Sequence, residues 1–350
     1  MQSKVLGRTG LEVPIVSFGT AFLARVMGAD GHFLPGVDED VGVENVVAAI
    51  EAGCTLVDTA PLYGNTVSEK IIGRALRERP DLADKCTVTT KVGRSGNEYD
   101  FSSDGVMQQV EDSQERLGLD AFDVLYIHDP MDFPMQQVMA KDGALGALRK
   151  LQDEGVVRFV GIAANDPDSN GPYIDTGEFD ASVVPDAWSL LNRTADTFIF
   201  PGAEKHNVGI ALATPLERGL LATGPLPGHS YVNRNFSQAV LDRVGRIKAL
   251  CDDYGIPLVA ASLQWCTRHP LIATAICGGR NKAETIQNAE AGSIEIPEAF
   301  WDDLEPLIQD WDQEHVVKVG SEKINPQMAQ MNADKGERRA RDWWAGWADN

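Results

Sequence analysis

Short apolar, β-branched runs alternate with longer amphipathic stretches eight times along this chain, and that rhythm constrains the fold more than any other feature. The short runs are Ile15–Phe18, Thr55–Val57, Cys86–Thr90, Val124–Ile127, Val157–Ala163, Ala181–Val184, Val208–Ala213 and Ile272–Cys277. Each has the length and residue type of a buried strand. Between them lie helix-like stretches over Asp40–Ala52, Val67–Arg77, Ser103–Leu117, Met135–Glu154, Ser237–Tyr254 and Lys282–Ala289. Several stop where a helix is expected to stop, at Gly53, Gly118, Gly155 and Gly255.

Strand–helix alternation predicts an α/β fold with a parallel sheet and helices outside it. Two architectures compete, a closed (β/α)8 TIM barrel and a doubly wound open sheet. A doubly wound nucleotide fold carries a Gly-rich fingerprint after an early strand. None stands here, and eight strands with polar residues at their C-terminal ends favour the barrel. Lys4–Phe18 reads as an N-terminal β-hairpin turning at Thr9-Gly10. The expected organisation is one domain over 1–350, with the barrel over about 14–295 and a C-terminal helical tail over about 296–350.

That tail is rich in tryptophan and charge, with Trp301, Trp311, Trp343, Trp344 and Trp347 beside Arg338, Arg339 and Arg341. It reads as a terminal helix and a segment packed on the barrel. The other readings are a loop over the mouth or a contact with a second copy, which leaves a homo-oligomer open.

Charge narrows the partners. The formal net charge of −21 repels nucleic acid and anionic membrane surfaces. It leaves a neutral small molecule such as a sugar acceptable, while an anionic cofactor needs local positive charge. The five cysteines, Cys54, Cys86, Cys251, Cys266 and Cys277, have neither metal-ligand nor redox spacing, so no metal is expected and reduced buried thiols are. The N-terminus has no signal-peptide pattern and no window is apolar enough to span a bilayer, so a cytoplasmic protein is expected.

Chemistry concentrates at strand ends. Asp58 closes the second run, Tyr63 follows in the loop, Lys91 closes the third and His128 the fourth. Taken singly, each has an ordinary structural explanation. Together, on three successive strands of a barrel, they converge on one spot. A tyrosine hydroxyl has a pKa near ~10, too high for easy proton release at neutral pH. A neighbouring ammonium lowers it, and a carboxylate keeps that ammonium charged and placed. A histidine on the other side relays a proton or donates a hydrogen bond to the substrate oxygen. Such a group suits carbonyl–alcohol interconversion, with the hydride exchanged with a nicotinamide.

At this point the sequence resembles a known family. The strings LGRTGLEVPIVSFGTA, VDTAPLYGNTVSEKIIGRAL, TTKVG, VLYIHDP, LQDEGVVRFVGIA and ATPLERGLLATG are similar to those of the aldo-keto reductases, from about Leu6 to Asn288. Within the family the chain looks most like the sugar 1-dehydrogenases acting on L-fucose, L-galactose or D-threo-aldoses, and like a related pyridoxal dehydrogenase.

The resemblance implies a catalytic tetrad at Asp58, Tyr63, Lys91 and His128. It implies that Asn165 holds the nicotinamide carboxamide, with Ala164 in place of the usual preceding serine. It puts Leu216, Arg218 and Gly219 in the loop around the pyrophosphate. It puts Gly278, Arg280, Glu284 and Asn288 on the segment around the adenosine ribose. There Glu284 replaces the usual arginine for a 2′-phosphate, which favours NAD over NADP, although Arg280 and Lys282 are close enough in sequence to serve NADP. The usual stacking tyrosine is replaced near Ala213, and Trp188 is a candidate for that surface. Phe22, in the long first loop Phe22–Pro35, is expected to border the substrate. The implied activity is an NAD(P)-dependent oxidoreductase, foremost an aldose 1-dehydrogenase. The alternatives are an NADPH-dependent reductase of aldehydes or modified sugars, and a non-catalytic binding or regulatory barrel.

Overall fold

Eight parallel strands close on themselves in chain order. They are β1 (Val16–Gly19), β2 (Leu56–Asp58), β3 (Thr87–Val92), β4 (Phe122–His128), β5 (Val157–Ala163), β6 (Ala181–Val184), β7 (Gly209–Ala213) and β8 (Ile272–Cys277). Each pairs with the next, and β8 pairs with β1 to complete the barrel. This computed structural model describes residues 1–23, 25–27, 33–96, 98–232 and 234–308, and not the side chains of 25–27 and 33–37.

Alternation decides what faces inward. Successive side chains on a strand point to opposite faces. On β4, Leu125 and Ile127 join the layer between strands and helices, whereas Val124 and Tyr126 belong to the cluster inside the barrel. His128 shares their parity. On β3, Val88 and Val92 face the helices, which leaves Thr87, Thr89 and Lys91 on the inner face. On β2, Leu56 is in the inner cluster and Asp58 follows it by two. Strand parity alone thus sends Asp58, Lys91 and His128 into one space. The inner cluster needs close packing, and Gly161 on β5 provides it. A Cβ there would come within 2.2 Å of the Tyr126 ring.

The helices start and stop for local reasons. Glu39–Glu51 begins at Asp38, whose carboxylate accepts the Val41 N–H at 3.1 Å. Ser103–Leu117 begins at Ser102, which accepts the Gly105 N–H, and ends at Gly118 in the left-handed region. Gln238–Asp253 begins at Ser237 in the same way. Each cap satisfies an N–H that the helix itself leaves open.

Three expectations are corrected. The single helix expected over Met135–Glu154 is two, Met135–Val138 and Ala144–Asp153. Gly143 is extended at the break, and its N–H bonds to Ala140. The N-terminal hairpin ends sooner than expected. Ser3–Val5 pairs with Glu12–Pro14 around a 3-10 turn at Gly7–Thr9, and Val16–Gly19 belongs to the barrel. Leu6 and Val13 of this hairpin join the inner cluster and seal the N-terminal end. The long first loop is not structureless, since Arg25–Met27 and Phe33–Val37 pair as antiparallel strands. Helices at Pro167–Asp175, Phe200–His206 and Leu258–Arg268 add to those expected. The terminal helix runs over Glu298–Ile308 and buries Trp301. The tail beyond it, with Trp311, Trp343, Trp344 and Trp347, lies outside the described residues.

Candidate active site

The C-terminal ends of β2, β3 and β4 bring Asp58, Lys91 and His128 together under Tyr63. Lys91 is 1 % exposed and Asp58 3 %. The Lys91 ammonium donates to Asp58 Oδ2 at 2.7 Å and to the Thr59 carbonyl at 2.8 Å. Thr89, paired with Asp58 in register, donates its hydroxyl to Oδ1 at 3.0 Å. Both carboxylate oxygens are therefore held. Tyr63 is half-buried, with Lys91 Nζ 4.8 Å from its ring centroid. The His128 ring meets the Tyr63 ring edge-on at 6.0 Å.

Electrostatics follow from burial and these neighbours. Burial opposes the Lys91 charge, but Asp58 and then Tyr63 outweigh it, and the ammonium pKa ends above its usual value. Burial pushes the Tyr63 phenol up to about 12, against the pull of Lys91. Burial, Lys91 and Arg94 hold His128 well below the usual imidazole range. Near neutral pH the site presents a phenol, an ammonium and a neutral imidazole. That set gives or takes one proton at Tyr63 and offers an uncharged hydrogen-bond donor at His128.

The residues expected at the coenzyme end follow β5, β7 and β8, on the same end of the barrel. Asn165 lies half-buried just past β5. Ala164 donates its N–H to Asn170 Oδ1 at 3.4 Å, and Asn170 reaches the Val183 carbonyl at 3.0 Å. Past β7, Leu216 is buried, Arg218 has φ 56° and Gly219 has φ 100°. Past β8, Asn288 donates to the Gly278 carbonyl at 2.9 Å. Glu284 is clasped by Arg280, whose backbone N–H and Nε reach it at 3.0 and 2.9 Å. Asn281 caps the helix Lys282–Ala291 that carries Glu284.

Two substrate expectations fare differently. Phe22 is half-buried in the turn after β1. Trp188, the candidate stacking surface, is buried among other aromatic rings. Its ring stacks on Trp265 at 5.0 Å and meets Phe200 and His269 edge-on at 4.9 and 5.1 Å. Trp265 lies on the helix Leu258–Arg268 and Phe200 on the helix Phe200–His206, so the indole belongs to the layer outside the strands.

Sequence reasoning missed two charged groups at this mouth, save for Arg218 in the second. Arg94 Nη1 donates to Asp129 Oδ2 at 2.6 Å, and both residues are buried. Asp129 stands inside the HDP string and Arg94 just after TTKVG, so position was the available signal. The second group is a buried cluster over β6 and β7. Arg234 donates to Glu217 at 2.7 Å and to Asp186 at 2.9 Å, Ser189 donates to Glu217 at 2.6 Å, and Arg218 lies 3.6 Å from Asp186. Burial opposes the Asp186 charge, but Arg234 and Arg218 draw its pKa down to about 2. The Arg218 Nε and Asp186 Oδ1 atoms are buried without a partner. An orphaned guanidinium N–H on a left-handed loop fits a diphosphate, whose oxygens are strong acceptors.

The fold and site define a barrel enzyme of proton and hydride transfer, with its chemistry at the C-terminal ends of the strands. The sequence profile of the Aldo/keto reductase family matches residues 25–309, and the chain belongs to that family. It is an oxidoreductase acting on CH–OH groups and uses NAD(P). The chain is 32% identical to a D-threo-aldose 1-dehydrogenase of Pseudomonas sp, over 84% of its own length and 94% of the relative. It is 28% identical to a pyridoxal 4-dehydrogenase of Microbacterium luteolum, over 87% of its length and 96% of the relative. Among solved structures it is similar to an aldo-keto reductase of Bacillus halodurans in its holo form. The TM-score is 0.72, with 24% identity, covering 91% of this chain and all (100%) of that one. No helix among the described residues is long and apolar enough to cross a membrane.

Proposed function

We propose that this protein oxidises the anomeric CH–OH of a free aldose to a lactone, with NAD as coenzyme, in the cytoplasm. The buried Asp58–Lys91 pair beneath Tyr63 carries the reading, because a carbonyl–alcohol enzyme needs a tunable proton carrier at one point. The D-threo-aldose relative and the sugar-dehydrogenase motifs support the substrate class.

Tyr63 first gives up its own proton to solvent, Lys91 stabilises the phenolate so formed, and the phenolate then receives the proton of the reacting hydroxyl, returning to the phenol. Asp58 keeps Lys91 charged and pointed, with Thr89 fixing the other carboxylate oxygen. Neutral His128 orients the reacting oxygen by hydrogen bonding. A bound nicotinamide supplies the hydride acceptor and, when oxidised, a positive charge that favours the phenolate. Asn165 holds its carboxamide, and the loop of Leu216, Arg218 and Gly219 holds the diphosphate. Gly278, Arg280, Glu284 and Asn288 border the adenosine ribose. Arg280 is already engaged with Glu284 and so is less available to a 2′-phosphate. The Glu284 carboxylate suits a free ribose hydroxyl, which supports NAD.

The test is a panel of aldoses and simple aldehydes with both coenzymes, followed by the absorbance of the reduced nicotinamide. Oxidation of an L-fucose- or D-threo-type aldose, with lower KM for NAD than NADP, is the expected result. Reduction of aldehydes with no sugar oxidation would replace this reading with a reductase.

A further inference from the structure

The Arg94–Asp129 pair sits beside the tetrad and has no part in the proton transfer described above. Asp129 directly follows His128 at the end of β4. Its carboxylate Oδ2 lies 3.8 Å from His128 Nε2. Its backbone is left-handed, at φ 49°, and its N–H is tied to the Ala163 carbonyl at 3.0 Å. That conformation is unfavourable for a non-glycine residue and re-aims the side chain at the strand end.

The pair is expensive where it stands. Asp129 is 4 % exposed and Arg94 6 %. Two charges withdrawn from water are generally no more stable than apolar residues of the same volume. Stability therefore gives no reason for a carboxylate at this point. Oδ2 takes Arg94, and Oδ1 has no hydrogen-bond partner among the described residues. The surroundings are aromatic on one side. Arg94 lies over the Tyr99 ring at 5.0 Å, Tyr99 meets Phe133 at 5.6 Å, and Tyr99 keeps 37 % of its surface exposed. A fixed acceptor next to an exposed aromatic ring matches a molecule with hydroxyls along one edge and C–H groups on its face.

We propose that Asp129, held by Arg94, is a specificity-determining residue. It accepts a hydrogen bond from the hydroxyl on the carbon next to the reacting one, and so selects α-hydroxy carbonyl compounds and their hemiacetals over plain aldehydes. This rests on the site reading above, in which His128 touches the reacting oxygen. The vicinal hydroxyl of such a substrate is then next to that oxygen, on the side where the carboxylate waits. A site built to bond a hydroxyl rejects the analogue lacking it, because its own buried acceptor is left unpaired.

The experiment crosses one protein change with one substrate change. Rates of L-fucose and 2-deoxy-L-fucose oxidation are measured for the wild-type enzyme and for Asp129→Asn. Removing the hydroxyl is expected to lower wild-type kcat/KM roughly 10- to 100-fold, the span for a hydrogen bond to a charged group. In Asp129→Asn, whose amide oxygen still accepts but carries no charge, the same removal is expected to cost distinctly less, about 2- to 10-fold. Equal costs in both proteins would overturn the proposal, as a merely structural ion pair moves both substrates together. If the variant does not fold, the wild-type ratio decides alone, and equal rates on the two sugars overturn it. If the wild-type enzyme oxidises no sugar, the aldose reading fails instead. Asp129 is then judged on reduction of glyceraldehyde against propanal, where the same preference supports it and equal rates overturn it.

Discussion

The two sides of the barrel mouth hold buried charge by different means. On the side of β2 and β3, Asp58 and Lys91 stand on strands, and the barrel register brings them to 2.7 Å. Over β6 and β7, the charged groups stand on loops whose backbone is itself unusual. Asp186, Thr214, Glu217 and Arg218 all have positive φ, at 51°, 56°, 45° and 56°. Here the ladder does not fix the geometry. Arg234 fixes it, by bonding Asp186 and Glu217 at once. One side uses backbone to place charge, and the other uses charge to place backbone. The first arrangement suits a proton carrier that must not shift. The second suits a loop that must present N–H groups and a guanidinium to a bound anion.

Four substitutions test that contrast. Lys91→Met leaves Asp58 buried and unpaired, and is expected to cost ~3–5 kcal/mol of stability together with turnover. Urea unfolding measures the loss, and an unchanged midpoint would contradict a tightly held pair. Tyr63→Phe removes the proposed proton carrier without disturbing either charge group. Single-turnover hydride transfer should slow ~10²-fold or more, with coenzyme affinity retained. In the parent enzyme the Tyr63 phenol, pushed up to about 12, must lose its proton for oxidation. Oxidation rate should therefore climb from pH 7 to 10, and a flat profile would remove Tyr63 as the base.

Arg234→Met addresses the loop side. The Asp186 pKa is drawn from 3.8 to about 2. A depressed carboxylate pKa contributes stability above the unfolded value, and that contribution disappears as pH falls from about 4 toward 2, roughly 2 kcal/mol in all. The variant should lose most of it and unfold at a higher pH on the acid limb. Coenzyme Kd should rise while hydride transfer at saturation stays close to normal. A drop in the saturated rate with Kd unchanged would place Arg234 with the chemistry instead. The smallest effect belongs to Glu284→Gln. Releasing Arg280 should raise the NADP-to-NAD ratio of kcat/KM about 10-fold, near 1.4 kcal/mol.

The contrast also explains what could be read in the sequence. Asp58, Lys91 and His128 were legible because a strand has a period of two and each stands at or next to the end of one. Their convergence followed from strand order alone. Asp186, Glu217 and Arg234 were not legible, since three separate loops carry them and no period relates them. Met135–Glu154 misled because Gly143 breaks a helical pattern whose composition continues through the break. Leu258–Arg268 was passed over because eight of its residues, Leu258–Leu263, Cys266 and Thr267, are buried. It lacks the polar stripe by which a surface helix is recognised. Trp188 illustrates the converse, a residue marked by its position whose ring contacts in the structure are with Trp265, Phe200 and His269.

The hairpin at the N-terminal end has a kinetic consequence. With Leu6 and Val13 lodged in the floor, the barrel is a well with one opening. A coenzyme and a substrate that both bind above Lys91 would share that doorway, so a product lingering at the rim would delay the next turnover, however fast the proton moves below.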